Sequence, residues 1–273
     1  MEIISACLLR DLPVYRQTFR SLEKFLPGSE VHLITRKEDF GRFRNACGSG
    51  LRLWDENELV PSMTLAELKK APLPFFPRGA GWYFQQFLKY AFVDVSNESD
   101  YFLIWDADTI LLRPIDLFDE NDIPYYTEAD EYHLPYFDTF QALFGEPADR
   151  THSFISQHQL VSKTVLRQML AEIEMKHPSS KGWAWAIIEN LKGEGSNLFS
   201  EYETYGHYLK MRHPGTFSTR TREWTRAGGG RMGIPPWSMR LRQLAKYYDF
   251  AAFEVTASPG RRFIRGLRNL TRI

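Results

Sequence analysis

Runs of apolar residues and amphipathic stretches alternate along the first half of the chain. Apolar runs of strand length occupy residues 2–9, 31–35, 51–54 and 101–105. Residues that repeat with a helical period lie between them, at 12–25, 65–70 and 82–92. Because strands and helices alternate in this way, the pattern predicts an α/β fold with a mixed, mostly parallel central sheet flanked by helices.

The second half of the chain opens with another predicted strand and continues mainly with helices. The pattern predicts a strand at 152–162 and helices at 163–174, 183–191, 201–210 and near 237–247. Ser200 is a good N-cap residue for the helix that follows it. We expect one main domain at residues 1–219, followed by an arginine-rich extension at residues 220–273.

The charge is balanced over the whole chain but not along it. Lys and Arg number 34, and so do Asp and Glu. The extension holds 12 of those basic residues and only 3 of the acidic ones, so it is near +9 and the body near −9. This split predicts an anionic membrane surface or a polyanion as partner of the tail. We expect no nucleic acid, because the acidic body repels phosphates and no recognition motif is present.

Cysteine usage and hydropathy predict a cytoplasmic protein. The only cysteines, Cys7 and Cys47, have neither metal-ligand nor redox spacing, which indicates a reducing compartment. The N-terminal apolar run lacks the basic flank of a signal peptide, and no apolar stretch is long enough to span a bilayer. Aromatic residues make up 15% of the chain; most are expected in the core, but some could line a site for hydroxyl-rich ligands.

The most informative residues follow the strand predicted at 101–105. That apolar run ends abruptly at Asp106, and a second acid, Asp108, stands two residues later. Two carboxylates are costly to bury unless a cation holds them, and open α/β sheets bind ligands just beyond the carboxyl ends of strands. Their hard oxygen atoms suit Mg²⁺ or Mn²⁺ carrying a phosphorylated substrate. The sequence therefore predicts a metal–diphosphate site.

Three further blocks place polar side chains in or beside apolar segments. Residues 81–89 lie on the helix just before the acidic pair, and residues 153–161 carry a polar triplet inside a hydrophobic run. Residues 200–207 put Glu201 and Glu203 in the first turn of a helix. The helix dipole alone is a sufficient structural reason for one of these two acids.

These blocks and the Asp106-Ala107-Asp108 motif resemble GT-A glycosyltransferases with a DxD motif, and in particular small bacterial glycosyltransferases of surface-polysaccharide biosynthesis. The resemblance covers about residues 1–215 and implies a GT-A, Rossmann-like fold. It also implies that a hexose passes from a nucleotide-sugar, a UDP-sugar above all, to a hydroxyl of a glycan or lipid-linked acceptor. Such enzymes work at the cytoplasmic face of the cell membrane.

The resemblance also implies roles for individual residues. Asp106 and Asp108 would hold Mn²⁺ or Mg²⁺ on the donor diphosphate, with His207 or His213 as a further ligand. Glu201 or Glu203 would be the catalytic base if the mechanism inverts the anomeric centre. The residues expected to contact the donor are Gln85, Gln86, Lys89, Asp106, Ala107 and His158.

Arginines in the extension offer a further site for anions. Arg222, Arg226 and Arg231 surround a triple glycine and could clamp a phosphate, because guanidinium groups bind phosphates bidentately. Residues 261–270 mix arginines with apolar residues at helical spacing, as expected of a segment that lies on an anionic leaflet.

Two other functions fit the same residues less well. The run through Asp106 and Asp108 also resembles the first motif of haloacid-dehalogenase-type phosphatases, but that motif normally lies on the first strand of its domain. No downstream lysine and paired-aspartate set completes it here. A non-catalytic carbohydrate-binding module is the other alternative.

Overall fold

The computed structural model describes residues 1–73, 79–96, 99–226 and 238–254. Its strands are β1 (Glu2–Ala6), β2 (Glu30–Thr35), β3 (Leu51–Asp55), β4 (Tyr101–Trp105), β5 (Thr109–Leu111), β6 (Tyr125–Thr127), β7 (His158–Ser162), β8 (Ser218–Arg220), β9 (Trp224–Thr225) and β10 (Phe250–Ala252). Its α-helices are α1 (Leu12–Phe25), α2 (Phe40–Cys47), α3 (Glu56–Leu59), α4 (Leu65–Leu68), α5 (Ala80–Ala91), α6 (Leu134–Phe144), α7 (Lys163–Lys176), α8 (Trp183–Glu189), α9 (Glu201–Arg212) and α10 (Ser238–Leu244).

The central sheet has five strands in the order β3-β2-β1-β4-β7. The first four run parallel, whereas β7 lies antiparallel to β4 at the edge of the sheet. The chain moves outward from β1 to β2 and β3 on one side, then returns to place β4 on the other side of β1. The carboxyl ends of β1 and β4 therefore flank the point at which strand order reverses, where open α/β sheets bind their ligands.

Alternating side chains of the sheet form two hydrophobic cores, as the period of two along a strand requires. Ile3, Leu103 and Trp105 pack with α1 and α2 on one face. Ile4 and Ile104 pack on the other face, in the larger core with α5, α7, α8 and α9. Because helices cover both faces, the strands are mostly apolar, and β4 consists only of apolar and aromatic residues, which is why they could be recognised as apolar runs.

The described part of the extension packs against the body. Strand β10 pairs with β5 and with β9 in a small sheet, and β8 pairs with β6. Leu244 and Phe253 join a core cluster with Val14 and Ile110. No structural division marks residue 219 within the described residues, so the domain boundary expected there remains a prediction from charge and composition.

The predicted elements agree with the observed ones in most places. Helices α2, α3 and α6 were not predicted, because α2 and α3 are short and α6 is apolar on several sides, which hides its period. The short strands β5, β6, β8, β9 and β10 were not predicted either. The strand predicted at 152–162 begins only at His158, because Gln157 takes a backbone φ of 67° that interrupts an extended chain. Among the described residues, no helix has both the length and the apolar composition that a bilayer crossing requires.

Helix α9 is buried from Glu201 to Leu209, and one glycine makes this possible. A Cβ at Gly206 would overlap the ring of Phe154 and come within 2.8 Å of its Cβ. The helix can therefore lie against the 153–157 segment only because this position has no side chain. The contact fixes the beginning of α9, which carries Glu201, relative to the carboxyl end of β4.

We predict that Gly206→Ala lowers the free energy of unfolding by about 1–3 kcal/mol, because the added methyl group overpacks a filled core. Gly41→Ala is the matched control: Gly41 also lies in a helix, but its added Cβ meets nothing within 4 Å. That substitution should raise stability by about 0.5–1 kcal/mol through helix propensity. Urea titrations measure both values, and equal stabilities of the two variants would contradict the packing described.

Candidate functional site

A cavity of about 430 Å³ opens at the carboxyl ends of β1 and β4. Eight of the predicted site residues line it: Gln85, Gln86, Lys89, Asp106, Ala107, Asp108, Glu201 and Arg226. Further lining residues that were not predicted include Arg10, Asp11, Trp82, Glu131, Tyr136, Gln157, Asn197, Tyr202 and Glu254. The cavity thus lies at the strand-order reversal, and many of its side chains are charged.

One face of helix α5 forms a wall of this cavity. Trp82, Gln85, Gln86 and Lys89 follow the i, i+3, i+4, i+7 spacing that places side chains on the same side of a helix. The opposite side of the helix packs into the large core through residues such as Phe84 and Phe87. Gln86 is almost fully buried, and its Oε1 accepts from the Glu201 backbone N–H at 2.9 Å, so it holds the first turn of α9 against α5.

The ammonium group of Lys89 lies between two carboxylates. Its Nζ donates to Oδ1 of Asp106 at 2.5 Å and to Oε1 of Glu201 at 2.6 Å. The hydroxyl of Tyr202 also donates to Oδ1 of Asp106, at 2.8 Å. Lys89 is only 3% exposed, and the ring of Tyr202 lies 4.9 Å below its ammonium. One buried cation therefore connects α5, the end of β4 and the start of α9.

The charge states within this group follow from burial and proximity. Burial works against the positive charge of Lys89, but Asp106 and Glu201 outweigh that effect and raise the pKa of the lysine. Burial raises the pKa of Glu201, and the adjacent ammonium opposes the rise. Lys89 keeps its proton, and its Nζ lies 2.6 Å from Oε1 of Glu201, so the pair is ionised. Glu201 is thus an anion held in place at the wall of the cavity.

Asp108 has the environment of a cation ligand. Within the described ranges, no basic side chain pairs with its carboxylate, and its contact with the Thr109 hydroxyl is 3.5 Å long. Burial, together with the nearby carboxylates of Asp106 and Glu254, raises the pKa of Asp108 to about 7. Asp106 uses only Oδ1 for Lys89 and Tyr202. The remaining oxygens form a hard, anionic donor set that fits Mg²⁺ or Mn²⁺.

Gln157 and Arg226 lie beside the acidic residues of the cavity. The Gln157 carbonyl accepts from the Asp106 N–H at 2.9 Å, and this residue has a φ of 67° that a non-glycine residue rarely adopts. With its amide oxygen facing the arginine, Gln157 accepts from Nη2 and Nε of Arg226 at 2.9 and 3.0 Å. Arg226 also pairs with Glu131 and lies 3.8 Å from Glu254. The guanidinium is therefore fixed at the edge of the cavity.

The structure does not bring Glu203 and His207 to the cavity, which corrects their predicted roles as base and metal ligand. Glu203 Oε2 lies 3.0 Å from His207 Nε2 and accepts from the Phe154 N–H at 3.1 Å. Both side chains are buried, with His207 packed against Phe137, Phe140 and Phe154. Residues 201 and 203 lie on different sides of α9, so the helix turns only the first toward the cavity.

His158 and His213 also lie away from the cavity, contrary to prediction. His158 is buried between Trp105 and Phe250, where its ring nitrogens contact Thr127 Oγ1 at 3.2 Å and the Ser156 carbonyl at 3.1 Å. Burial lowers the pKa of His158 to about 4. His213 follows the last residue of α9, about 18 Å along the helix from Glu201, because twelve residues each rise about 1.5 Å.

The predicted phosphate clamp is only partly present at the cavity. Arg226 lines it, whereas Arg222 donates to the Asp116 carbonyl elsewhere. Arg222 is half-buried, and this burial lowers the pKa of its guanidinium. Arg231 lies outside the described residues, as does the predicted membrane segment at 261–270.

A second acidic cluster lies at the amino-terminal ends of the strands, opposite the cavity. Glu2, Glu30 and His32, at the starts of β1 and β2, bring ligand atoms within 4.8 Å of one another. However, Nδ1 of His32 accepts the indole N–H of Trp54 at 3.0 Å, so the ring must carry its proton on Nε2. That proton occupies the nitrogen that faces the two carboxylates. The tautomer therefore disfavours a metal at this cluster and directs the N–H toward the carboxylates of Glu2 and Glu30, each 3.6 Å away.

Some of the lining residues that were not predicted could have been recognised from the sequence. Arg10 and Asp11 follow shortly after β1, so the rule that identified Asp106 at the end of β4 also applies to them. Trp82 shares the helical face of Lys89. In contrast, Glu131, Asn197 and Gln157 come from irregular segments, and their positions depend on tertiary packing that periodicity cannot reveal.

Comparison with solved structures identifies the class of fold. The chain is similar to an active-site mutant of LgtC, with a TM-score of 0.51 and 10% sequence identity over 99% of this chain and 96% of that one. The galactosyltransferase LgtC in complex with donor and acceptor sugar analogs aligns with a TM-score of 0.49, at 12% identity over 100% and 97%. Mouse xyloside xylosyltransferase 1 aligns with a TM-score of 0.49, at 13% identity over 92% and 97%. The fold is that of the GT-A glycosyltransferases, as the sequence resemblance implied.

A family model also matches most of the chain. The chain belongs to DUF6492, a family of unknown function, whose model matches residues 10–230. The match includes every described lining residue of the cavity except Ala6 and Glu254. No curated protein sequence matches the chain.

We predict that Asp108→Asn stabilises the metal-free protein at alkaline pH. Between pH 4 and 7 the unfolded chain loses the Asp108 proton while the folded chain keeps it, because the folded pKa is raised to about 7. Stability from this group therefore falls as pH rises through that window. With EDTA present, the variant should gain about 2–4 °C in Tm at pH 8, corresponding to about 1 kcal/mol, and less at pH 5.

Asp138→Asn is the matched control for this measurement, because Asp138 is exposed on α6. Its Tm difference from the parent protein should not change between pH 5 and pH 8. A loss of stability in Asp108→Asn at pH 8 would show that the carboxylate makes a favourable contact in the folded state. That result would contradict the reading of Asp108 as an uncompensated anion.

Proposed function

We propose that this protein is a metal-dependent glycosyltransferase that takes a sugar from a nucleotide-sugar donor. The observation that carries the proposal is the Asp106–Asp108 pair at the end of β4, in a cavity at the strand-order reversal. Asp108 lacks a basic partner among the described residues, and burial and neighbouring acids raise its pKa. The GT-A fold supports the assignment, since it supplies the expected context for such a pair.

The residues present fit the required chemistry. Asp106 and Asp108 would hold a divalent cation on the donor diphosphate. When bound, the cation would neutralise negative charge that develops on the departing nucleoside diphosphate. Arg226 is fixed at the same cavity and presents a guanidinium suited to phosphate oxygens. Arg10 lines the cavity beside Asp11 and could reach the same anion.

Glu201 is the better supported of the two candidate bases. Its carboxylate lines the cavity and is kept ionised by Lys89, so it can accept a proton from an acceptor hydroxyl or stabilise positive charge at the anomeric carbon. Lys89 also separates Glu201 from Asp106, so both anions can lie in the same small space. Either stereochemical outcome is compatible with this role.

The finer parts of the proposal come from the sequence resemblance. They are a UDP-hexose donor, a glycan or lipid-linked acceptor, Mn²⁺ as the preferred metal, and a role in bacterial surface-polysaccharide synthesis. A cytoplasmic location, with peripheral contact at the inner membrane face through residues 261–270, belongs to the same proposal. The charge of the tail supports that contact, since about nine net positive charges would attract an anionic leaflet.

The phosphatase alternative is less well supported. The phosphatase motif normally lies on the first strand of its domain, whereas Asp106 follows β4. The GT-A fold also differs in kind from the one the phosphatase motif would require. A non-catalytic carbohydrate-binding module is the second candidate function. A measurement of turnover distinguishes it from an enzyme.

The proposal predicts Mn²⁺-dependent hydrolysis of at least one nucleotide-sugar. UDP-, GDP- and CMP-sugars are incubated with Mn²⁺ or with EDTA, and release of the nucleotide is measured. Activity should disappear in EDTA and in Asp106→Asn and Asp108→Asn, but persist in Asp138→Asn. Turnover that survives EDTA would refute the metal role. Sugar binding that survives Asp108→Asn, without any turnover in the parent protein, would favour the binding module.

A second prediction separates the two glutamates. Glu201→Gln should lower kcat of transfer by about 10²–10⁴, because a base positioned at the reacting hydroxyl contributes that much. Glu203→Gln should lower Tm, since it weakens the buried contact with His207, while kcat of the folded enzyme stays unchanged. If transfer is as fast in Glu201→Gln as in the parent enzyme, the assignment of Glu201 fails.

A further inference from the structure

The cavity has an aromatic wall that the proposed chemistry does not use. The rings of Trp82 and Tyr136 are nearly parallel, with an interplanar angle of 15° and centroids 6.2 Å apart. Both residues line the cavity. His133 also packs against Tyr136, with centroids 4.6 Å apart and an interplanar angle of 63°. This wall contains no charged group, in contrast to the acidic end of the cavity.

The aromatic wall is rigid before any ligand binds. Nε2 of His133 lies 2.7 Å from the Asn197 carbonyl, which ties the wall to the loop before α9. Tyr83 meets Trp82 edge to face at 5.0 Å, and its hydroxyl bonds with the Ser196 carbonyl and the Leu198 N–H, each at 2.9 Å. A site whose rings are fixed in this way loses little side-chain entropy on binding.

The wall is separated from Asp106 along helix α5. The strand-order reversal places a nucleotide beside the loop after β1, where Ala6 and Asp11 line the cavity. Trp82 precedes Lys89 by seven residues on α5, which is about 10 Å along the helix. Since Lys89 contacts Asp106, the wall is far enough from the acidic pair for a sugar to lie between them.

The wall has the chemistry of a pyranose subsite. One face of a pyranose exposes C–H groups, which pack on the electron-rich face of an aromatic ring, while its hydroxyls point outward. Polar groups that could meet those hydroxyls surround the rings: Gln85, Glu131, Asn197 and Ser200 all line the cavity.

We infer that Trp82 and Tyr136 form the acceptor subsite, which stacks a terminal pyranose of a glycan beside the donor sugar. This inference rests on the proposed function, because the bound sugar is an acceptor only if the protein is a glycosyltransferase. Binding of a pyranose at the aromatic wall, however, does not require catalysis. The wall therefore selects a carbohydrate acceptor rather than a lipid alcohol or a protein side chain at this position.

The test uses the full chain labelled with 5-fluorotryptophan, whose ¹⁹F spectrum reports the 7 tryptophans. The resonance missing in Trp82→Phe belongs to Trp82. Methyl α- and β-glycosides of glucose, galactose and mannose are titrated in, and at least one should shift the Trp82 resonance while that of Trp54 stays in place. If none of the six shifts it, the inference is overturned.

Variants of Tyr136 test the second ring. Tyr136→Ala should raise the Kd of the active glycoside at least about tenfold, as loss of a buried aromatic contact does. Tyr136→Phe keeps the ring and should keep binding, and Tyr247→Ala is the control for an exposed aromatic residue. Equal Kd values in Tyr136→Ala and the parent protein would remove Tyr136 from the subsite.

A titration with UDP and Mn²⁺ separates this inference from the proposed function. If UDP, and not the glycosides, shifts the Trp82 resonance, the ring stacks on a nucleobase and the inference is overturned. If glycosides shift it while no nucleoside diphosphate binds anywhere, the subsite is supported and the nucleotide-sugar function fails. If UDP with Mn²⁺ binds without moving Trp82, and a glycoside moves it, both proposals are supported.

Discussion

The ammonium group of Lys89 holds the site together. It lies between Asp106 and Glu201, at 2.5 and 2.6 Å, and joins three elements that are far apart in sequence. Without it, two carboxylates would face each other in a largely buried space, and removing one partner of such a group typically costs about 3–5 kcal/mol. The lysine thus allows an acidic cavity to exist in the folded chain, and it determines how closely α9 approaches the end of β4.

Lys89 pairs with Asp106 and Glu201 but leaves the carboxylate of Asp108 without a positive charge beside it. Asp108 has no basic partner in the described chain, and its raised pKa reports the cost of keeping it there. Gln157 adds backbone strain next to it, at a φ of 67°, while it supports Asp106 and Arg226. Unfavourable charge and strain at one place are common at functional sites, because stability is lost there in favour of a geometry that binds a ligand.

The sequence predicted the sheet and the acidic end of the cavity because both depend on local patterns. Buried strands are continuous apolar runs, and Asp106 follows one; Lys89 lies on a helix with a clear period. The choice between Glu201 and Glu203 could not be made in that way. Helix α9 is buried on nearly every side, so periodicity defines no outward face, and Gly206 against Phe154 sets its orientation instead. His158 was misjudged because β7 is covered on both faces.

Helix α5 connects the acidic end of the cavity to its aromatic wall and fixes the distance between Lys89 and Trp82. Lys89, near its C-terminal end, binds Asp106, and Trp82, in its first turn, is part of the aromatic wall. A helix is stiff over this length, so the distance between a donor diphosphate and a stacked acceptor would be set by helical geometry, with no loop between them. Loop residues such as Asn197 can then vary the hydroxyl contacts without moving the reacting groups. Under the proposed function, acceptor choice would depend on the residues at the rim of the wall, whereas α5 would set the spacing between Trp82 and the group that holds Asp106.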